Sequence, residues 1–266
     1  MSSRFLRLVA FGILALSSPA LAARELRVCA DPDNLPFSNR MRQGFENRIA
    51  VLIARELHAN VVYEWQRMGR GFVRDYINSG KCDLLVGIPV GYKAVLTTAP
   101  YYRSMYVFVT RRDRDLKLGS LNDPALHHLK IGVQALEEDY TPAATALARR
   151  GMQDEIVGFD STGEDAGSIV EAVAKKKVDT AIVWGPLAGY FAAKVNASLD
   201  LTPVTPEVDP PSLPFTFAIA MGVRKDNTAL RDELDSVLRS KHQEIQTILR
   251  EYKVPQLELV SMQASR

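Results

Sequence analysis

The sequence predicts an α/β fold with two lobes, each a mainly parallel sheet flanked by helices. Strand-like apolar runs alternate with helix-like segments in one β-α-β-α-β set, and the same order returns in a second set. Two longer apolar runs flank the second set and connect it to the first. The chain has 266 residues, which is enough for two lobes of ordinary size.

The N-terminus has the composition of a secretory signal. Arg4 and Arg7 precede an apolar run over residues 8–16, and Ala20-Leu21-Ala22 matches a small-residue cleavage site. A membrane anchor is the alternative, but this run is far shorter than the ~20 residues of a spanning helix. We therefore expect residues 1–22 to be a signal peptide, and the mature protein to reach the periplasm without a membrane anchor.

Loss of the signal also changes the charge of the protein. The formal net charge of +2 becomes zero, because the only charged side chains among residues 1–22 are the two arginines. The mature surface thus gives no reason to expect a nucleic acid as partner.

In the first set, residues 25–30, 61–65 and 83–88 are predicted strands, and 45–57 and 72–78 are predicted helices. Cys29 lies in the first strand and Cys82 lies just before the third. An exported protein occupies a compartment where disulfides persist, so we predict a Cys29–Cys82 bridge if these strands are neighbours. Two buried free thiols are the alternative.

In the second set, the predicted strands are 130–133, 156–159 and 180–184, and the predicted helices are 141–150, 168–175 and 187–194. Gly185-Pro186 is expected to stop the last strand. Residues 105–110 and 215–223 are predicted to cross between the lobes as a hinge. One long amphipathic helix is predicted after Asp226, with apolar residues on one side through Leu249.

Ligand sites in open α/β sheets lie beyond the carboxyl ends of the strands. The loops expected there are 31–39, 67–71, 87–92, 134–141, 160–167 and 184–189. In the first of them, Asp31, Asp33 and Asn34 are either ligand-binding residues or an Asx-type turn. Arg67 and Arg70 either hold a carboxylate or phosphate at a helix N-terminus or form a solvated pair.

Aromatic residues give the second set of candidates. Trp184, at a strand end, is either a cleft anchor or a core residue. Tyr101 and Tyr102 should point in opposite directions if the chain is extended, so only one of them should face the cleft.

The sequence gives little support for catalysis. Its four histidines include the neighbours His127 and His128, which cannot share one face of a helix or strand and therefore make a poor pair of metal ligands. Metalloprotease, nucleophile-elbow, phosphate-loop and C-x-x-C motifs are absent from the sequence. We expect a non-enzyme with no metal site and no cofactor of its own.

The order of elements resembles the bacterial solute-binding proteins that carry amino acids to ABC importers, which have the type II periplasmic binding protein fold. Several blocks are similar to a narrower group, the quinoprotein dehydrogenase-associated binding proteins of the MoxJ and XoxJ type. These blocks are residues 28–39, 70–73, 82–83, 95–104 and 181–191. The resemblance implies a first lobe of residues 23–109 and 216–266, with the second lobe, 110–215, inserted in it.

The resemblance also shows a departure. Amino-acid carriers have an arginine in the loop after the third strand, which grips the ligand carboxylate with two hydrogen bonds. Here Lys93 is the only cation in that loop, and a point charge does not replace the planar fork. Carriers also have an acid after the strand that corresponds to residues 180–183, where this chain has Trp184-Gly185-Pro186.

The predicted cleft is therefore mainly apolar and aromatic, and suits a hydrophobic protein segment or an apolar or aromatic small molecule. The resemblance implies an accessory protein for maturation of a pyrroloquinoline quinone (PQQ)-dependent methanol or alcohol dehydrogenase, the calcium or lanthanide type, whose immature large subunit it would bind. The alternatives are an ABC-importer receptor for an apolar, aromatic or polycarboxylate solute, such as PQQ, and a cofactor courier that combines both roles. The candidate cleft residues are Asn34, Phe37, Arg67, Arg70, Pro89, Tyr92, Tyr101, Tyr102, Gln134, Trp184, Gly185, Tyr190 and Phe215.

Overall fold

The computed structural model describes residues 24–67, 69, 71–135, 141–160 and 163–259. The predicted signal peptide and the candidate residue Arg70 lie outside the described residues. The strands are β1 Arg24–Ala30, β2 Asp33–Asn34, β3 Ser38–Asn39, β4 Ala59–Trp65, β5 Leu84–Pro89, β6 Leu96–Thr97, β7 Tyr102–Arg111, β8 Ile131–Ala135, β9 Ile156–Asp160, β10 Thr180–Trp184, β11 Leu199–Pro203, β12 Val208–Asp209, β13 Leu213–Pro214 and β14 Thr216–Val223. The α-helices are α1 Phe45–Glu56, α2 Pro142–Arg149, α3 Ser168–Ala174, α4 Gly185–Ala192, α5 Thr228–Ser240 and α6 His242–Glu251, and a π-helical turn covers Val73–Asn78.

The central sheet has the strand order β4-β1-β5-β14-β7-β10-β8-β9. Strands β4, β1 and β5 are parallel to one another, and so are β10, β8 and β9. Between these groups lie β14 and β7, which pair antiparallel with each other and with their outer neighbours. The predicted α/β fold with mainly parallel sheets is confirmed, while the exact lobe boundaries, 109/110 and 215/216, stay a prediction.

The first lobe is built on the apolar face of α1. Phe45, Ile49 and Ile53 recur with helical spacing and are fully buried against β1, β5 and β14. The end of the chain completes this core through the apolar faces of α5 and α6.

The prediction of a single long helix after Asp226 is wrong, because the helix is interrupted at Lys241, between α5 and α6. Lys241 leaves the helical conformation with φ −106° and ψ 15°. A straight helix of this length would extend roughly 36 Å, and its far end would leave the core. The break lets Leu234 in α5 and Ile245 in α6 reach the same core. Neither Gly nor Pro marks the position, so the sequence offers no signal for it.

Two features of the second lobe also differ from prediction. Strand β10 ends at Trp184 as predicted, but the helix begins at Gly185 and not at residue 187, because proline in the first turn of a helix has no N–H to leave unpaired. Strand β11 is not predicted; it pairs antiparallel with the C-terminal half of β7.

The predicted disulfide is confirmed. Cys29 and Cys82 are bonded, with their Cα atoms 5.6 Å apart, and both are buried. The bridge is possible because β1 and β5 are parallel neighbours, with Val28 opposite Leu84.

Candidate functional site: the cleft between the lobes

Loops at the carboxyl ends of the strands meet across the two lobes. Gly163, which follows β9, has a left-handed φ of 61°. A Cβ atom added to it would lie 3.4 Å from Oδ2 of Asp33 and 3.9 Å from a terminal nitrogen of Arg67, both in the first lobe. The structure therefore brings together Asp33, Arg67 and Gly163, one from each of three predicted loops. Glycine is favoured at this position because residues with a side chain rarely adopt the left-handed backbone conformation.

The first of these loops is a tight turn. Oδ1 of Asp31 accepts a hydrogen bond from the backbone N–H of Asp33 at 2.9 Å, which is the geometry of an Asx-type turn. The carbonyl of Asn34 accepts the N–H of Phe37 at 2.9 Å. The Phe37 ring is half-buried and lies 5.3 Å from the ring of Phe45, so it packs on the first-lobe core. The loop thus forms the predicted turn, and ligand binding by its residues stays a prediction.

Three aromatic candidates are core residues. Tyr101 and Tyr102 are each 2 % exposed and Phe215 is fully buried. The predicted opposite directions require an extended chain, and this condition is not met, because Tyr101 lies in a bend before β7 and only Tyr102 belongs to the strand. Their rings lie 5.1 Å apart, and the Tyr101 hydroxyl donates to the carbonyl of Val86 at 2.8 Å. None of the three offers its ring to a ligand in this structure.

Trp184 lies where the second-lobe sheet meets the crossing strands. It is partly exposed, and its ring is 5.5 Å from Tyr106 in β7 and 5.6 Å from Phe217 in β14. Its backbone N–H donates to Oε1 of Gln134 at 2.8 Å, so Gln134 links the ends of β8 and β10. Trp184 therefore combines both interpretations, since it packs on the hinge and keeps part of its surface free.

Gly185 and Tyr190, in α4, face other parts of the protein. A Cβ atom on buried Gly185 would lie 2.6 Å from the carbonyl oxygen of Met105, so this glycine permits close packing on β7 and offers no ligand contact. The half-buried ring of Tyr190 stacks on Tyr252 at 5.8 Å. Its hydroxyl accepts a hydrogen bond from Nζ of Lys194 at 2.6 Å.

The remaining candidates are exposed. Pro89 and Tyr92 belong to the loop after β5, in which Tyr92 is 45 % exposed and Lys93 points to solvent. Arg67 is also exposed, and its guanidinium group lies near Gly163 of the second lobe. The exposed candidates thus present two cations, Arg67 and Lys93, and the aromatic ring of Tyr92 to solvent.

Sequence reasoning misses Glu46, a buried carboxyl group at the start of α1. It is 9 % exposed, and its Oε1 lies so close to β5 that a Cβ atom on Gly87 would be 2.0 Å from it. Burial, and secondarily the charge of Asp31, raises the pKa of Glu46 to about 8. The sequence gives no warning, because an acid in the first turn of a helix is ordinarily a favourable surface residue.

The charge of this carboxyl group acts on two buried tyrosines. Burial raises the pKa of Tyr101 and of Tyr102 well above the usual range, and the nearby charge of Glu46 adds to both shifts. Within the described ranges, no group of three or more His, Cys, Asp or Glu side chains is arranged to hold a metal ion.

A surface groove of about 620 Å³ lies between α1 and α6, away from the strand-end loops. Leu52 and Ile248 contribute apolar surface to it, and the ion pair between Arg55 and Glu244, at 3.2 Å, joins its two walls. Because no predicted strand-end loop lines the groove, we do not place the functional site there.

Comparison with known proteins decides the family. Residues 26–254 match the family of bacterial extracellular solute-binding proteins, family 3. The chain belongs to this family. Among the described residues, no helix has the length and apolar character needed to cross a membrane.

Within family 3, this solute-binding protein is of the MoxJ and XoxJ type. It is 34% identical to protein MoxJ of Methylorubrum extorquens over 91% of this chain and 86% of that protein. The crystal structure of the periplasmic binding protein XoxJ from Methylobacterium extorquens is 37% identical, with a TM-score of 0.73, covering 88% of this chain and all of that one. MxaJ from Methlophaga aminisulfidivorans has the same fold, with a TM-score of 0.79 at 24% identity over 87% of this chain and all of that one. The resemblance found in the sequence is confirmed.

Proposed function

We propose that this family 3 protein is a non-catalytic periplasmic accessory protein for a PQQ-dependent methanol or alcohol dehydrogenase. It would assist maturation by binding the immature, cofactor-free large subunit in the cleft between its lobes. The similarity to MoxJ and XoxJ supports a place beside such a dehydrogenase.

The chemistry of the cleft supports a protein segment as the occupant. An amino-acid receptor needs opposite charges to replace the water around its zwitterionic ligand. The loop after β5 supplies only the exposed Lys93, and the first turn of α4 has no acid. Both anchors of an amino-acid site are therefore absent from the positions where carriers have them.

The observation that carries the proposal is the partly exposed Trp184, which lies at a strand end where a carrier has a carboxylate. With Tyr106 and Phe217 it forms an aromatic cluster between the lobes. Aromatic clusters with free edges are typical anchor points for apolar side chains of a partner.

Trp184→Ala is expected to weaken capture of the dehydrogenase about tenfold or more, the size of effect typical of a central aromatic anchor. The measurement is affinity capture from periplasm with tagged mature protein, followed by native mass spectrometry. Val51→Ala is the matched control, because Val51 is 51 % exposed on α1 and away from the cleft. Equal capture by all three proteins would remove the cleft from the mechanism.

A second function, delivery of a small solute to an importer, is favoured by Arg67. This exposed cation lies where the second lobe approaches the first, and could hold one carboxylate of a polycarboxylate such as PQQ. The same native mass spectra distinguish the two functions. A bound small molecule that is lost on unfolding, without any dehydrogenase subunit, would favour the receptor, whereas both together would favour a courier.

A further inference from the structure

We propose that residues 252–257, the C-terminal strap, form a third connection between the lobes and hold the cleft at one width. The inference rests on the proposed function and specifies the occupant: a partner segment that fits a preformed cleft, not a solute trapped by closure. The sequence predicts only two connections, the strands β7 and β14.

The strap is fixed first to the first lobe. It leaves α6 with the N–H of Val254 donating to the carbonyl of Leu249 at 3.0 Å. Val254 is 6 % exposed and belongs to the first-lobe core, against which Tyr252 also packs.

The strap then crosses to β7 and to the second lobe. Oγ of Ser104 donates to the carbonyl of Pro255 at 2.7 Å, and the N–H of Leu257 donates to the carbonyl of Arg103 at 2.9 Å. The Leu257 side chain packs against the core formed by β7, β10, α3 and α4. Within these six residues, Tyr252 and Val254 thus pack on the first-lobe core and Leu257 packs on the second-lobe core.

One glycine of α4 makes room for the crossing. A Cβ atom on Gly189 would lie 1.9 Å from the carbonyl oxygen of Lys253 and 3.2 Å from Cδ of Pro255. The stacked rings of Tyr190 and Tyr252 continue the same contact. The strap backbone thus lies directly on α4, where any larger residue at position 189 would displace it.

A third connection between the lobes restricts their rotation about the hinge. Two crossing strands permit one lobe to rotate about them, and this rotation encloses a solute in hinge-closing proteins. The C-terminal strap contacts α4 and the second-lobe core at a place outside the pair of crossing strands. Rotation of the lobes about these strands would therefore have to break the contacts of the strap. A cleft of fixed width cannot enclose a small solute, but it can receive a segment of a larger partner.

Spin-label distance measurement across the lobes tests the strap. Labels would be attached to cysteines introduced by Val51→Cys in the first lobe and Val157→Cys in the second lobe. The native Val51 and Val157 are 51 % and 37 % exposed. Both native cysteines are in the disulfide, so only the introduced thiols react. We expect one narrow distance distribution in the otherwise unchanged protein, and a broad one from the outset would overturn the proposal.

Gly189→Ala is expected to broaden the distribution about twofold, because its methyl group displaces the strap and frees the hinge. Gly119→Ala is the matched control, since a Cβ atom there would lie at an ordinary 3.6 Å from Thr202. Leu257→Ala is the second test variant: it deletes the anchor in the second-lobe core without adding a clash, so it still decides the matter if Gly189→Ala does not fold. An unchanged width in the folded variants would overturn the proposal.

The capture experiment is independent of this measurement. Loss of capture in the Trp184 variant with an unchanged width in the strap variants would leave the proposed function and refute the strap. A broadened distribution in a protein that captures no dehydrogenase would support the strap as a structural element and refute the proposed function.

Discussion

Replacing Glu46 by Gln is expected to raise the free energy of unfolding by on the order of 4 kcal/mol at pH 9, and to change it little near pH 4. The cause is burial. The carboxyl group lies against Gly87 with its pKa raised to about 8, so ionisation places a charge in a buried site that already feels the negative charge of Asp31.

The direction follows from proton binding. In the unfolded chain the glutamate has its ordinary pKa of 4.5, and in the folded protein a pKa of about 8. Between these values the folded state holds a proton that the unfolded state has lost. Stability from this group is therefore complete below pH 4.5 and falls by about 1.4 kcal/mol per pH unit until pH 8. Glutamine is uncharged at every pH, so the free energy of unfolding of the Glu46→Gln variant does not show this decrease.

Urea unfolding of the wild type and of Glu46→Gln from pH 4 to pH 9 measures the effect. Other carboxylates change the stability of both proteins alike, so the difference between the two curves isolates Glu46. Glu25→Gln, at an exposed position of β1, is the matched control and should run parallel to the wild type. If the Glu46→Gln curve is also parallel, the carboxyl group is ionised in the folded protein and the expected pKa is wrong.

The parts of the fold that the sequence predicts are those where one local pattern decides the outcome. The run of residues 84–88 has no polar side chain, which is typical of strands buried on both faces, and β5 is such a strand. The break at Lys241 is different, since it follows from where the first-lobe core ends and from no local signal. The helix that begins at Gly185 is intermediate, because Gly-Pro can end a strand and also open a helix.

The site is less predictable than the fold because the sequence gives positions along the chain but not directions in space. It correctly indicates that loops at strand ends meet, as the approach of Gly163 to Asp33 shows. It does not indicate that Tyr101 and Phe215 point into cores, or that Glu46 lies behind β5. These directions depend on packing between distant segments, which a local pattern does not contain.

Removing the disulfide by Cys29→Ala and Cys82→Ala is expected to lower the free energy of unfolding by about 4 kcal/mol in the chain-entropy model. The bridge closes a loop with a sequence separation of 53, so its main effect is to restrict the unfolded chain. The folded junction has a second support: Arg27 donates from its guanidinium to both oxygens of Asp83, at 3.1 Å and 2.7 Å. The folded structure should therefore persist without the bridge.

Urea midpoints of the wild type and the double variant, each with and without reductant, check this expectation. The reductant should lower the midpoint of the wild type and leave that of the double variant unchanged. Capture of the partner in native buffer should be the same for both proteins, because β1 and β5 remain paired and the loops after them keep their positions. A variant that is destabilised as expected but fails in capture would show that the bridge also shapes the cleft. Equal midpoints for wild type and variant would show that the unfolded chain is already compact around this pair, so that closing the loop restricts it little.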